Sequence, residues 1–490
     1  VNVDIYFSDY FQVEPGELSE FGAFDVSLVN DLPLFVDPFL LFNSKKEEYQ
    51  DLHTEIIRYV RFLRDMSAEG QLSPALVTSW FRFPEVKQNW LGYSLRGNAG
   101  RGLGRQFANA LVNALHTIFR DFGEEAITRS SHLEKLCLVH EGVGKDSISD
   151  FTTNLIKGYL AKFTQTFSES SIDRNLLKRV QVPGSSFNYQ TRSWVTREFL
   201  LPWHKSDYVL LTPKDMLTKD DTWINRPELL DRFPDIAQSL PNPELRAQVN
   251  EYLLRVVPIG PKVKRREIRE AMARAVARFP ESIDYYVRAK EDDGDQAKAV
   301  SEKRVAAIEQ RFIRQIRLLV ENYLEPGGFY RLNPDTYEEA KARVTFLKDV
   351  IENKGAHRLF YQDGKPFERE FDLQILYRLT WFATPSDISR EVDDGRGPAD
   401  FKVSQGARDK TIVEFKLAKN TKLERNLAKQ AEIYEKASDA TQPSLKVIIY
   451  FSLKQAYRVQ RILKRLKLVD SPHVILIDAR SDNKPSASKA

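Results

Sequence analysis

The clearest ordering of apolar and polar positions lies near the C-terminus. Residues 400–417, DFKVSQGARDKTIVEFKL, alternate in polarity, pass a glycine-containing turn, and resume as a run rich in β-branched residues. That pattern predicts two strands joined by a short loop. Over 422–438 Leu423, Leu427, Ala431 and Tyr434 recur at three- and four-residue spacing, which predicts a helix. SLKVIIYFS (444–452) is a continuous apolar run of the kind a buried central strand shows. KQAYRVQRILKRLKL (454–468) reads as a basic amphipathic helix and HVILID (473–478) as a last strand. Upstream, FEREFDLQILYRLTWF (367–382) predicts a helix with an acidic start, and DISREV (387–392) a first strand. Hairpin, helix, strand, helix and strand in that order predict a small α/β sheet.

The preceding residues are less regular. EYQDLHTEIIRYVRFLRDMSAEG predicts a helix among short strand-like runs, and LPLFVDPFLLF (32–42) a buried segment too short to span a bilayer. A glycine-rich loop with Arg96, Arg101 and Arg105 feeds a helix over 92–119. Its spacing fits neither a P-loop nor a dinucleotide fingerprint, so a structural or partner-contact role is preferred. HEGVGKDSISD (140–150) lacks the glycine a nucleotide loop needs five positions before Gly144. Asp146 and Asp150 read instead as the start and cap of the helix TTNLIKGYLAKFTQTF. SWVTREFLL and YVLLT are strand-like, and the proline-rich stretch 223–249 predicts short helices separated by proline. Residues 261–324 are helical and densely charged; AKEDDGDQAKAVSEKR within them reads as a mobile connection or an exposed helix. The expected fold class is multidomain α+β: a mixed α/β domain at 1–180, a charged connecting or recognition region at 181–335, a sheet domain at 336–480 and a disordered tail at 481–490.

Composition narrows the setting. The chain has 490 residues, 42% hydrophobic and 29% charged, as expected of a soluble globular protein. Its one cysteine, Cys137, permits no internal disulfide and fits a reducing, cytoplasmic compartment. The first residues lack a secretion signature, and no segment reads as a membrane span. The seven histidines show no zinc-module spacing. Net charge is only +4, but residues 401–470 hold 16 Lys/Arg against 7 Asp/Glu. The basic excess therefore sits on the C-terminal sheet region, as a phosphate-binding surface requires. Lys454, Arg458, Arg461, Lys464, Arg465 and Lys467 supply much of it.

The candidate chemistry lies in the predicted hairpin. Glu414 and Lys416 are two apart and share a strand face, with Phe415 pointing the other way. Asp400, in Gly397-Pro398-Ala399-Asp400, belongs to the partner strand and reaches the same side. Two carboxylates beside an ammonium suit a hard cation such as Mg²⁺, which takes one or two protein carboxylates plus water and phosphate oxygens. Lys416 would orient the attacking water.

With its Asp400, Glu414-x-Lys416 and Gln430-x-x-x-Tyr434, the segment from about 360 to 480 resembles the PD-(D/E)xK nuclease superfamily, the restriction-endonuclease-like fold. The helix signature is similar to the RecB-type subset. The resemblance implies a Mg²⁺- or Mn²⁺-dependent deoxyribonuclease. Its catalytic residues would be Asp400, Glu414, Lys416, Glu370, Gln430 and Tyr434, and its metal ligands Asp400, Glu414 and Glu370, with Glu368 the rival for the helix acid. DNA is the implied partner. The N-terminal region would add recognition, regulation, a protein partner or self-association. The architecture resembles prokaryotic restriction and phage-defence effectors. A repair nuclease, or a partner-regulated subunit inactive alone, would use the same residues.

Overall fold

The computed structural model describes residues 4–70, 72–92, 102–140, 142–258, 264–327, 329, 336–362, 364–367, 369–381, 387–389, 401–405, 409–428 and 444–484. The chain is mixed α+β and forms two compact units. One comprises residues 7–94 and 98–307; the other joins residues 1–6 and 95–97 to 308–490. An expected boundary at 180 falls inside the strand Leu177–Asn188, so the chain does not divide there. The second boundary falls at 307/308, earlier than the turn-rich passage before residue 336 suggested. Among the described residues no helix is long and apolar enough to cross a membrane.

The 7–307 unit is mainly helical. Its Glu47–Ala68 helix buries Tyr49, His53, Ile56, Tyr59, Val60, Leu63 and Met66, the stripe its spacing predicts. Residues 32–41 are all buried, as their apolar run implied. A long antiparallel ribbon, Leu177–Asn188 against Ser193–His204, carries a register shift between Val182 and Ser186. The Lys157–Ser171 helix approaches the ribbon so closely that a Cβ on Gly158 would lie 2.1 Å from the Ser185 carbonyl oxygen. Only glycine fits there.

Several expectations are corrected in this unit. Asp146 does stand in the first turn of a helix, but Asp150 caps nothing and lies inside it. That helix, Lys145–Leu155, begins after Gly144, which takes the extended N-cap conformation. Pro234 does not break its helix: Arg226–Ser239 continues through it, at the cost of one backbone hydrogen bond. The polar stretch at 289–304 is neither a mobile connection nor a wholly exposed helix, because Lys290 and Glu291 are buried. Glu291 accepts from the backbone N–H groups of Arg129 and Ser130 and contacts His132 Nε2 at 2.9 Å. Arg96 and Arg101 lie outside the described residues.

The other unit is built on a five-stranded sheet. Its strands are β1 (Asp387–Ser389), β2 (Phe401–Gln405), β3 (Asp409–Leu417), β4 (Leu445–Tyr450) and β5 (Val474–Asp478), in spatial order β5-β4-β3-β2-β1. β3, β4 and β5 run parallel, while β2 and β1 are antiparallel to their neighbours. Helices α1 (Thr336–Asn353) and α2 (Glu370–Thr380) cover one face. There Thr336 Oγ1 meets Thr411 Oγ1 at 2.9 Å, and Tyr377 stacks on Phe415 with ring centroids 3.8 Å apart. Helix α3 (Leu453–Arg465) and the helical residues 423–428 cover the other. Val459, Ile462 and Leu463 of α3 share one core cluster with Ile448, Ala418, Leu423 and Leu427. Asn483, inside the expected tail, donates to Asp478 Oδ2 at 2.9 Å; residues 485–490 lie outside the described residues.

Candidate active site on the C-terminal sheet

β3 is the middle strand of the sheet, and its residues 411–418 are all buried. Side chains alternate along a strand. Because Phe415 packs on Tyr377 of α2, Glu414 and Lys416 point to the opposite, α3-side face. Glu414 is 2% exposed and Lys416 8%. In the parallel ladder Lys416 is paired with Ile448 and Glu414 with Lys446. The backbones of Lys446 and Glu414 are therefore neighbours, with strands about 4.8 Å apart. Lys446 is itself 5% exposed, and its Nζ donates to Ser444 Oγ at 3.1 Å.

On its other side β3 outruns the described part of β2. The antiparallel register ends with Val413 opposite Phe401, while β3 continues to Leu417. The Ala418 N–H points to β4, donating to the Ile449 carbonyl at 2.8 Å. The preceding N–H, of Leu417, therefore points to the β2 side. It donates to Glu370 Oε1 at 3.1 Å. Asn420 Nδ2 donates to the same oxygen at 2.8 Å. Glu370 stands in the first turn of α2, where the helix dipole favours a carboxylate. Its Oε2 accepts no hydrogen bond among the described residues. Arg458 of α3 completes the support, donating to the Ala418 carbonyl at 2.6 Å and to that of Asn420 at 2.7 Å.

Glu414 and Lys416 thus share one face of β3, and Glu370 meets the same strand at Leu417. Glu370 is level with Leu417, roughly 10 Å along the strand from Glu414 at about 3.3 Å per residue. Asp400, Glu368, Gln430 and Tyr434 lie outside the described residues. Phe401, the covalent neighbour of Asp400, pairs with Val413, the covalent neighbour of Glu414. Among the described residues no three His, Cys, Asp or Glu side chains group as a metal cage. The oxygen donors present suit Mg²⁺ or Mn²⁺ all the same, since one or two carboxylates suffice when water and phosphate complete the sphere.

Lys446, Asn420 and Arg458 are site-bordering residues that sequence reasoning missed or misassigned. Lys446 was hidden within an apolar run, although a lysine in a strand buried on both faces is itself a signal. Arg458 was grouped with phosphate-binding cations, yet its guanidinium is occupied by two carbonyls.

Two family models match the chain. One, described as a domain of unknown function (DUF8370), covers residues 12–225. The second, also described as a domain of unknown function (DUF8371), covers residues 336–453, from α1 to the first residue of α3. No curated protein and no solved structure matches the chain.

Proposed function

We propose that the C-terminal sheet hydrolyses DNA phosphodiester bonds with Mg²⁺ or Mn²⁺. The observation that carries this reading is the burial of Glu414 and Lys416 side by side on the middle strand. Burying charged groups costs several kcal/mol each even after relaxation, roughly by the measure of other buried ions. A fold that needed only a core would place aliphatic side chains there. Buried ionisable groups of this kind are candidates for a functional site.

In this reading Asp400, the covalent neighbour of Phe401, acts together with Glu414. The pair would hold the cation, and Glu370 would contribute through Oε2, its other oxygen being committed to Leu417 and Asn420. The bound cation supplies Lewis acidity and a water of lowered pKa. The Lys416 ammonium, level with Ile448, would donate to and orient the attacking water. Lys446, on the strand beside Glu414, would add positive charge to the surroundings of the phosphate. Gln430 and Tyr434 would brace the same face and touch the strand being cut. The setting we propose is prokaryotic restriction or phage defence, with the 7–307 unit as the recognition or assembly module.

The test is incubation of the purified chain with plasmid, linear and single-stranded DNA and with RNA, with Mg²⁺ or with chelator. Nicked or linear plasmid is expected only with Mg²⁺. Glu414→Gln and Lys416→Met should each lower the rate by about 10²-fold or more. A folded parent chain that cuts no nucleic acid, or a Glu414→Gln chain that cuts as well as the parent, overturns the proposal.

A further inference from the structure

Helix α3 contains five Lys/Arg and no Asp/Glu over Leu453–Arg465. Its inner face is occupied. Val459, Ile462 and Leu463 pack in the sheet core, and Arg458 is bonded to the 418–420 turn. Arg465 pairs with Glu424 at 3.2 Å. What remains outside is Lys454, Tyr457, Arg461 and Lys464, all exposed, with Tyr457 63% exposed. Among the described residues their side chains make no hydrogen bond or ion pair. Their spacing of three, four and three residues puts them in one stripe, about 15 Å long at 1.5 Å per residue.

We propose that this stripe is a surface that tracks a nucleic-acid backbone, with Lys454, Arg461 and Lys464 on phosphates and Tyr457 against a base or sugar. The inference rests on the reading that the adjoining sheet acts on DNA, and names the surface that would deliver the strand. Cations interleaved with an exposed aromatic ring are what a sequence-tolerant nucleic-acid groove requires. Continuity with the candidate site is direct. Arg458, on the same helix, holds the turn that carries Asn420, and Asn420 holds Glu370. An anionic membrane would also attract these charges, but a helix that lies on lipid inserts a broad apolar face. The apolar face of α3 is already spent on the sheet. Only Leu453, 48% exposed, and Tyr457 offer apolar surface outward.

The experiment measures binding of fluorescent duplex and single-stranded 30-mers to the full chain in chelator, at several salt concentrations. Replacing Lys454, Arg461 and Lys464 together by Gln should weaken binding at least tenfold at 50 mM salt. It should also flatten log K against log salt by roughly two to three, at about 0.9 per lost phosphate contact on duplex. Tyr457→Ala should weaken binding about five- to a hundredfold with an unchanged slope, as loss of stacking does, and Tyr457→Phe should restore it. All four positions are exposed, so these variants should melt with the parent chain. Parent-like affinity and slope in the triple variant overturns the surface assignment. So does capture by phosphatidylserine vesicles without DNA binding. Neither result touches cleavage: a parent chain that cuts DNA while Glu414→Gln does not keeps the catalytic reading standing. Stripe-dependent binding by a chain that never cuts would remove the catalytic reading alone.

Discussion

Lys446 sits where an aliphatic residue would be cheapest, in a strand buried on both faces, beside a carboxylate. If Glu414 holds a cation, as proposed, the charge of Lys446 on the neighbouring strand would oppose it. Lys446→Met keeps the length and removes the charge. Replacing a buried charge by an apolar group of similar volume is often neutral or stabilising, so the variant should unfold within about 1 kcal/mol of the parent or above it. It should reach half-maximal cleavage at a lower Mg²⁺ concentration. An unchanged Mg²⁺ requirement would separate this ammonium from the carboxylate. At this scale the sequence was legible where one residue fixes its own direction. Two-residue spacing was enough to put Glu414 and Lys416 on one face and Phe415 on the other. It was illegible where a contact joins distant segments. Nothing local announces that Glu370 meets the Leu417 N–H, 47 residues away.

Strand and helix types near the C-terminus were read well, because each carries a complete period and terminates at turn residues. The hairpin strands, the apolar central strand and the helices Glu370–Thr380 and Leu453–Arg465 appear where the pattern predicted them, while residues 429–438 of the helix expected over 422–438 lie outside the described residues. Ends were read less well. Gly144 starts a helix with no capping side chain, a position at which an aspartate a few residues on looked more suitable. The linked elements at the site lead to a sharper expectation. Arg458→Ala removes two short hydrogen bonds from a charged donor, leaving the 418–420 turn unsupported. The loss should be about 1–3 kcal/mol of stability, read from the urea midpoint. Hydrogen exchange should quicken at Leu417 and Asn420 before it does on β4 and β5. Equal protection across the sheet would mean the turn does not depend on α3.

On the scale of the molecule, two enclosed groups of the 7–307 unit answer pH in opposite senses. His53 is buried in the 7–307 unit, and burial, with the charge of His132 beside it, drives its pKa down to about 3. Between there and the ordinary value of 6.5 the unfolded chain binds a proton that the folded chain refuses, so stability rises with pH across that window and levels off above it. Asp150 works in the opposite sense. Desolvation, then the carboxylates of Asp146 and Glu85, push its pKa up to about 8. The folded chain keeps a proton that the unfolded chain has lost, so this group removes stability as pH rises from about 4 to 8. His53→Gln should flatten the acid limb of the urea midpoint against pH. Asp150→Asn should gain stability over the parent by an amount that grows from pH 4 to 8. A constant offset for either variant would show that the side chain does not titrate in that window. None of this was legible from the sequence, since it depends on which of many ionisable groups the fold encloses.

Residues 4–6 belong to the same compact unit as 308–490. Tyr6 donates its hydroxyl hydrogen to the Phe312 carbonyl, and Arg317 lies over its ring, 5.0 Å from the centroid. On the ribosome Tyr6 therefore emerges some three hundred residues ahead of its partners, with the whole of the other unit translated in between. No truncated nascent chain can assemble the sheet unit in full. Were the proposed nuclease activity present, it would have to wait until residues from 308 onward join a segment made some three hundred residues earlier.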